Sequence, residues 1–305
     1  MTSDNIGEFP PEASEQVTVC ICTFRRNSII GAVLSVANQK HVANRLAKIA
    51  VIDNDDTDAL RNDIEALAAR LSIPLSYVHA PAKNISIARN AALESTDTRW
   101  LAFIDDDETA GPCWLATLLG SRGSSEVVVG VSQALYGKDL PKWAERCNFH
   151  SNAIERSPVN AYTSSVLIDL SYVKKLEIRF REELGRTGGE DTFFFRELAE
   201  RGARFVFEPS AVVYEPVPVA RATMRWVTRR MYRAGQTHAM VTRQFDRTSF
   251  KVLWVSAPAK MAASVMMALL TLPGTDASRQ WYARACLHAG ATHFRIRPGL
   301  IEEYS

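Results

Sequence analysis

Trp100-Leu101-Ala102-Phe103-Ile104-Asp105-Asp106-Asp107-Glu108 is the stretch that decides the fold. Five apolar residues run directly into four acids, which reads as a buried strand ending at a polar edge. An unbroken apolar run of this length suits a strand covered on both faces. Four adjacent carboxylates repel one another and need a counter-charge. A divalent cation supplies it, since Mg2+ takes a few carboxylates together with phosphate oxygens and water, and Mn2+ suits the same ligands. The alternative is a solvated acidic turn, against which the buried strand just before it argues.

Upstream of this strand, apolar runs alternate with amphipathic stretches. Val17–Thr23, Ile49–Ile52 and Leu75–Val78 read as strands; 28–38, 58–71 and 85–93 read as helices. Such alternation predicts a mostly parallel central sheet with helices on both faces, an α/β fold. Polar or acidic residues stand past the ends of the first, second and fourth strands, the edge where open α/β sheets bind ligands. Downstream the alternation weakens. Residues 127–131, 164–168, 204–207 and 211–214 read as strands, 191–200 as a helix, and 221–240 as a basic helix.

The 305 residues are 47% hydrophobic and 23% charged, which excludes a disordered, collagen-like or polytopic membrane chain. A net charge of +2 gives no overall balance for nucleic acid, so none is expected as a partner. Residues 220–300 nevertheless carry thirteen Lys and Arg against two acids, Asp246 and Asp276. They include the most apolar stretch, 250–272, interrupted by Lys251, Pro258 and Lys260. A lysine near the middle of a span costs roughly 2.5–3.5 kcal/mol, so this stretch reads as a helix lying in the interface of an anionic membrane or as an ordinary core helix packed on the domain, rather than as a span. Residues 1–15 are polar, lack an apolar signal core and read as a flexible arm. The five scattered cysteines read as reduced thiols. The chain thus divides into an arm (1–15), a catalytic α/β domain (16–219) and a basic helical region (220–305). The expected location is cytoplasmic, peripheral on the inner face of the membrane.

Three further clusters carry chemistry. Gly188-Gly189-Glu190-Asp191-Thr192 places two glycines and two carboxylates at a helix start, where the dipole favours an ionised acid. Asp191 there can serve as a base, or an acid can merely cap the helix. Thr23-Phe24-Arg25-Arg26 follows the first strand and Asp53 ends the second; this loop can cradle a nucleotide, with the arginines near phosphate. Arg89 and Asn90 lie on the helix leading to the acidic strand, where Arg89 can pair with the acids or contact phosphate. No G-x-G-x-x-G or G-x-x-x-x-G-K-[ST] is present, which counts against dinucleotide and P-loop folds. His150 and His238 stand at unrelated spacings and read as structural rather than metal ligands.

Taken in order, these pieces resemble glycosyltransferase family 2, the inverting enzymes of GT-A fold. The resemblance runs from about residue 17 to 235. Cys22 to Arg26 look like the family's nucleotide loop and Asp53 like its second-strand acid. Ala88-Arg89-Asn90 and Phe103 to Asp107 match its A-R-N and F-[IL]-D-x-D, and Gly189-Glu190-Asp191 its glutamate–aspartate pair. Residues 211–218 and 229–235 are similar to the bacterial exopolysaccharide branch, the succinoglycan-type glucosyltransferases. Two departures matter. Thr163-Ser164-Ser165 replaces the frequent T-G-N, and Ala222 stands where processive synthases have the Gln of Q-x-x-R-W, which argues for addition of a single sugar.

The resemblance implies an inverting, metal-dependent hexosyltransferase. Its donor would be a nucleotide-diphosphate sugar, UDP-linked by analogy, and its acceptor a saccharide or lipid-linked saccharide. Asp191 and Glu190 would be catalytic. Thr23, Phe24, Arg25, Asp53, Arg89, Asp105 and Asp106 would hold the nucleotide sugar. Asp105 and Asp107 would hold Mg2+ or Mn2+. The competing readings are a metal-dependent nucleotidyltransferase, which lacks support in the glycine-free first loop, and a non-catalytic sugar-nucleotide-binding scaffold, which would not need the base.

Overall fold

The computed structural model describes residues 15–152 and 161–300; the arm through residue 14 lies outside them. Eight strands form one sheet: β1 (Val17–Thr23), β2 (Leu46–Asp53), β3 (Leu75–His79), β4 (Trp100–Ile104), β5 (Thr109–Ala110), β6 (Val127–Leu135), β7 (Ser165–Asp169) and β8 (Phe205–Pro216), in the order β3-β2-β1-β4-β7-β6-β8-β5. The first four strands are parallel, as the alternation predicts. From β7 onward the pairing is antiparallel, so the sheet is mixed, and this half coincides with the part of the sequence where the alternation fades.

Side chains on successive strand residues point to opposite faces, and the core divides accordingly. Val17, Val19, Ile21, Ile49 and Val51 pack with Ile29, Val33 and Val36 of α1 (Ile29–Ala37) on one face. Cys20, Ala50, Ile52, Leu101 and Phe103 pack on the other with Ala88 and Ala92 of α3 (Ile85–Ser95) and Phe194, Phe195 and Leu198 of α7 (Glu190–Glu200). The remaining helices of this half are α2 (Arg61–Ala68), α4 (Trp114–Ser121) and α6 (Leu170–Lys175). The two short strands expected over 204–207 and 211–214 are one continuous strand, because the chain stays extended through exposed Pro209 and Ser210. All five cysteines are unpaired, with Cys20 buried and Cys113 exposed.

The chain divides into two compact units, the first comprising residues through Gln133, Asn152–Arg186 and Glu190–Glu215. The second holds Ala134–Ser151, Thr187–Gly189 and the chain from Pro216. This departs from a simple cut at 219, and the reason is local. The Val217 amide donates to Leu135 O, and Ala134, Leu140, Ala144, Val217 and Ala222 share a small core with α5 (Lys142–Cys147).

The second unit otherwise consists of α8 (Met224–Phe245), α9 (Arg247–Leu270) and α10 (Asp276–Ile296). Helices α8 and α10 meet backbone to backbone at two glycines. A Cβ on Gly235 would fall 1.9 Å from Leu287 O, and one on Gly290 1.8 Å from Tyr232 O, so no larger residue fits without parting the helices. Helix α9 is long and apolar enough to cross a membrane by length and composition, yet little of it is buried.

Candidate active site

Strands β1 and β4 are parallel neighbours, so the loops after them meet at one sheet edge. There the Thr23 hydroxyl donates to Asp106 Oδ2 (2.7 Å), and Arg26 Nη1 donates to Asp106 Oδ1 (2.8 Å) and Asp107 Oδ2 (2.6 Å). The acids after β4 form a turn in which the Glu108 amide donates to Asp105 O (3.2 Å). The Asp105 amide returns a bond to Glu108 Oε2 (3.1 Å), and the Ser132 hydroxyl donates to Glu108 Oε1 (2.5 Å).

Burial pushes the Asp105 carboxyl up to about 7; Arg89 opposes this, while Asp107, Asp106 and Glu215 add to it. Asp106 is also raised by burial, against the pull of Arg26 and Thr23. Glu108 is raised by burial and by Asp105.

Helix α3 begins at Asn84, whose side chain accepts from the amides of Ser86 and Ile87. This cap, a typical N-terminal signal, fixes the turn that carries Arg89 inward. Its guanidinium is buried and donates to Glu190 Oε1 at the start of α7. Gly188 (φ +78°) and Gly189 (φ +88°) make the left-handed turn just before that helix, which only glycine adopts freely. Asp191 Oδ1 accepts from the Thr192 amide (2.6 Å) and hydroxyl (3.3 Å). Glu190 Oε2 is buried with no hydrogen-bond partner among the described residues.

Burial alone would weaken the charge on Arg89, but Glu190, Asp191 and Asp105 hold it fully protonated. The carboxyls sit on the other side of this balance. Burial lifts Glu190 to about 7 against the pull of Arg89, with Asp191 adding to the rise, and burial lifts Asp191 as well. One guanidinium thus faces three carboxyls, all of which burial raises.

The residues expected around a nucleotide separate into two kinds. Phe24 and Arg25 stand at the surface: Phe24 is 39% exposed, and the Arg25 guanidinium lies 5.1 Å from its ring centroid while Nε donates to Asp55. Asp53 and Arg89 are internal. Asp53 is fully buried; its oxygens accept from the Tyr77 hydroxyl (2.6 Å) and the Asp55 amide (3.0 Å). Tyr77 is held protonated by its burial and by that bond.

Tyr77 and Ser132 are partners that the sequence alone does not place in the site, and Arg26, which reads along the chain as a phosphate contact, pairs in the structure with Asp106 and Asp107. Tyr77 and Ser132 lie 24 residues from the acid each one serves, and nothing local marks them.

Among the described residues, no three His, Cys, Asp or Glu side chains converge as a closed metal cage. Mg2+ and Mn2+ do not require one: one or two carboxylates suffice when phosphate oxygens and water complete the shell. Asp105 and Asp107 fit that donor set, and the neighbouring acids Asp106, Asp107 and Glu215, which add to the effect of burial on Asp105, fit a cation. In the second unit His150 is structural. It is buried, its Nδ1 pairs with the Tyr136 hydroxyl (3.0 Å), its Nε2 with Arg221 O (3.0 Å), and its ring stacks on Trp226 at 4.9 Å. Burial and Lys260 hold His238 below its ordinary range.

Comparison with known proteins identifies the family of the chain. The family model described as glycosyl transferase family 2 matches residues 18–176, more than half of the chain. The chain is 33% identical to the succinoglycan biosynthesis protein ExoM of Rhizobium meliloti (strain 1021), over 96% of its own length and 97% of that protein's. The mannosyltransferase PcManGT from Pyrobaculum calidifontis, solved with GDP-Man and Mn2+, matches with a TM-score of 0.66 at 17% identity, covering 96% of this chain and 91% of that one. S. aureus TarS 1-349 in complex with UDP matches with a TM-score of 0.51 at 19% identity, covering 92% of this chain and 90% of that one. These two likenesses are of fold, and the fold is GT-A. With the family model and a full-length relative in agreement, the chain belongs to glycosyl transferase family 2.

Proposed function

We propose that this chain transfers one hexose from a nucleotide-diphosphate sugar, UDP-linked, to a hydroxyl of a saccharide or lipid-linked saccharide with inversion, in the assembly of a cell-surface or exported polysaccharide. The observation that carries the reading is the buried Arg89, whose single positive charge faces Asp105 of the acidic loop and the Glu190–Asp191 pair together. The relative in succinoglycan biosynthesis and the fold neighbours solved with UDP and GDP-Man support the substrate class.

Asp191 removes the proton from the acceptor hydroxyl. Its carboxyl is raised above the ordinary value of 3.8 by burial, which makes its unprotonated form a stronger base. The acceptor oxygen then bonds to the anomeric carbon as the bond to the diphosphate breaks on the opposite face, and the proton stays on Asp191. Glu190, bonded to Arg89, fixes the first turn of α7 and so the position of its neighbour. Holding the two substrates in line contributes much of the remaining acceleration. Phe24 and Arg25 offer an exposed aromatic and cationic surface to the nucleoside diphosphate, while Asp53 and Thr23 shape the loops beneath it. Mg2+ or Mn2+ held by Asp105 and Asp107 would neutralise charge growing on the leaving diphosphate.

The second unit supports a peripheral place on the inner face of the cytoplasmic membrane. Val252, Val255, Met266, Leu269 and Leu270 are exposed on α9, with Val255 at 77% and Leu269 at 76%. Lys251 and Lys260 are exposed on the same helix. A lipid-linked acceptor would be met on such a surface.

The test of the reaction is a panel of sugar nucleotides with Mn2+ and saccharide acceptors, read by released nucleotide and by the anomeric configuration of the product. Nucleoside diphosphate with an inverted product is expected. Pyrophosphate release would mean nucleotidyl transfer, and binding without turnover across the panel would mean a scaffold.

A further inference from the structure

The four acids after β4 do not play equal parts. Asp106 engages both carboxylate oxygens within the fold, one with Thr23 and one with Arg26. Glu108 does the same, one oxygen with the Ser132 hydroxyl and one with the Asp105 amide. Glu108 is 2% exposed, so its side chain is closed to solvent. A buried carboxyl is costly unless it is hydrogen-bonded, and both oxygens of Glu108 are.

What those bonds hold is the loop itself. The turn from Asp105 to Glu108 is closed twice, once by the Glu108 amide on Asp105 O and once by the Asp105 amide on the Glu108 side chain. The far end is anchored on the sheet. Ser132 lies in β6 and exchanges backbone bonds with Asn152, its amide donating to Asn152 O (3.3 Å) and its carbonyl accepting from the Asn152 amide (2.8 Å). Directly after Glu108, β5 pairs with β8. The acidic loop is thus strapped to the antiparallel half of the sheet through one side chain.

We infer that Glu108 is a positioning residue: its buried carboxyl, tied to Ser132 on β6, sets the conformation of the loop that carries Asp105 and Asp107, and with it the affinity of that loop for a divalent cation. This rests on the reading of Asp105 and Asp107 as the cation's carboxylates. Glu108 is not itself a ligand, since both its oxygens are engaged within the fold. Partners that orient a ligating group typically change metal affinity by about 10–100-fold when removed.

The experiment measures Mn2+ binding to the full chain in the presence of UDP, by loss of the free-ion electron paramagnetic resonance signal, with thermal melting in parallel. Glu108→Ala removes both bonds of the strap, and Mn2+ affinity should fall about 10-fold or more in a folded protein. Glu108→Gln keeps an acceptor for the Asp105 amide and can donate to Ser132 Oγ, so it should restore most of the affinity. Ser132→Ala, which frees one oxygen, should fall between them. A purely structural role would lower the melting temperature of Glu108→Ala and leave Mn2+ affinity untouched. That result, with Asp107→Ala abolishing binding, overturns the inference. If Asp107→Ala also binds Mn2+ normally, the reading of the acids fails and the inference with it. Should Glu108→Ala not fold, Ser132→Ala decides: unchanged Mn2+ affinity in that variant overturns the strap.

Discussion

In the first unit the unusual residues are buried charges; in the second they are exposed apolar side chains. Arg89, Asp53, Asp106, Glu108 and Glu190 are all buried in the former. Val252, Val255, Met266, Leu269 and Leu270 lie open to solvent along one helix in the latter. Each pattern runs against ordinary burial preference, and each is more informative than a well-packed leucine. Buried carboxylates are retained where charge must meet charge, as at a diphosphate. An open apolar helix suits the membrane-surface placement proposed above. The difference teaches that the two units use their uncommon residues in opposite ways: the first buries charge and the second exposes apolar surface.

The sharpest way to break the comparison is Asp107→Ala. If the acids of the first unit serve a cation and a diphosphate, this variant loses metal-dependent turnover altogether while its melting temperature holds or rises, since one of several crowded negative charges is gone. Activity across a Mn2+ titration and a thermal melt without metal check both halves. Wild-type turnover in the folded variant would reduce the buried charge to a structural feature.

Asp191→Asn comes next. Loss of a general base lowers kcat by about 10²–10⁴-fold, with nucleotide-sugar binding nearly unchanged. Collapse of donor affinity with turnover of the bound complex intact would move Asp191 into the donor site. The base also sets a pH profile. It must be unprotonated to work, and burial raises its carboxyl, so kcat/KM should fall as pH drops through a value above the ordinary 3.8. In Asp191→Asn that acid limb disappears. A profile flat down to the ordinary carboxylate range would show that the buried carboxyl of Asp191 is not the base.

Legibility in the sequence followed the same division. The parallel half was readable because its strands are short, mainly apolar runs closed by polar turns, most clearly Trp100 to Glu108. The antiparallel half was not, since β8 passes through Glu208-Pro209-Ser210 without leaving the extended state and no local pattern announces that. The acids, Arg89 and the Gly-Gly-Glu-Asp turn were visible because chemistry-bearing types cluster there. Their partners were not: Arg26 bridging Asp106 and Asp107, Ser132 on Glu108 and Tyr77 on Asp53 are pairings that only the fold creates. Arg26 offers its own check. With its charge removed in Arg26→Ala, Asp106 and Asp107 lose a counter-ion, so Mn2+ should bind more tightly in the absence of nucleotide and UDP more weakly.

The second unit is tested by the smallest effects. Along α9, Val252, Val255, Ala259, Ala262, Met266 and Leu269 recur every three or four residues and share one face, while buried Ala257 and Ser264 mark the opposite side. On the proposed membrane placement, this face would rest in the interface with the lysines beside it, held by burial of apolar area plus attraction to anionic lipid. The full chain should therefore co-sediment with anionic vesicles and come off in high salt or on neutral lipid. Val255→Asp with Leu269→Asp should abolish the association and leave turnover of soluble acceptors unchanged. A single basic residue contributes about 1 kcal/mol near such a surface, roughly fivefold in binding. Lys260 is the one to remove. Burial and then Lys260 hold His238 and His288 below their ordinary range, so Lys260 stands close to both. Lys260→Ala should weaken vesicle binding about fivefold at low salt and by much less at high salt. Equal loss at both salt concentrations would mean that Lys260 supports the packing of the helices, and undiminished binding would place the lipid against another face.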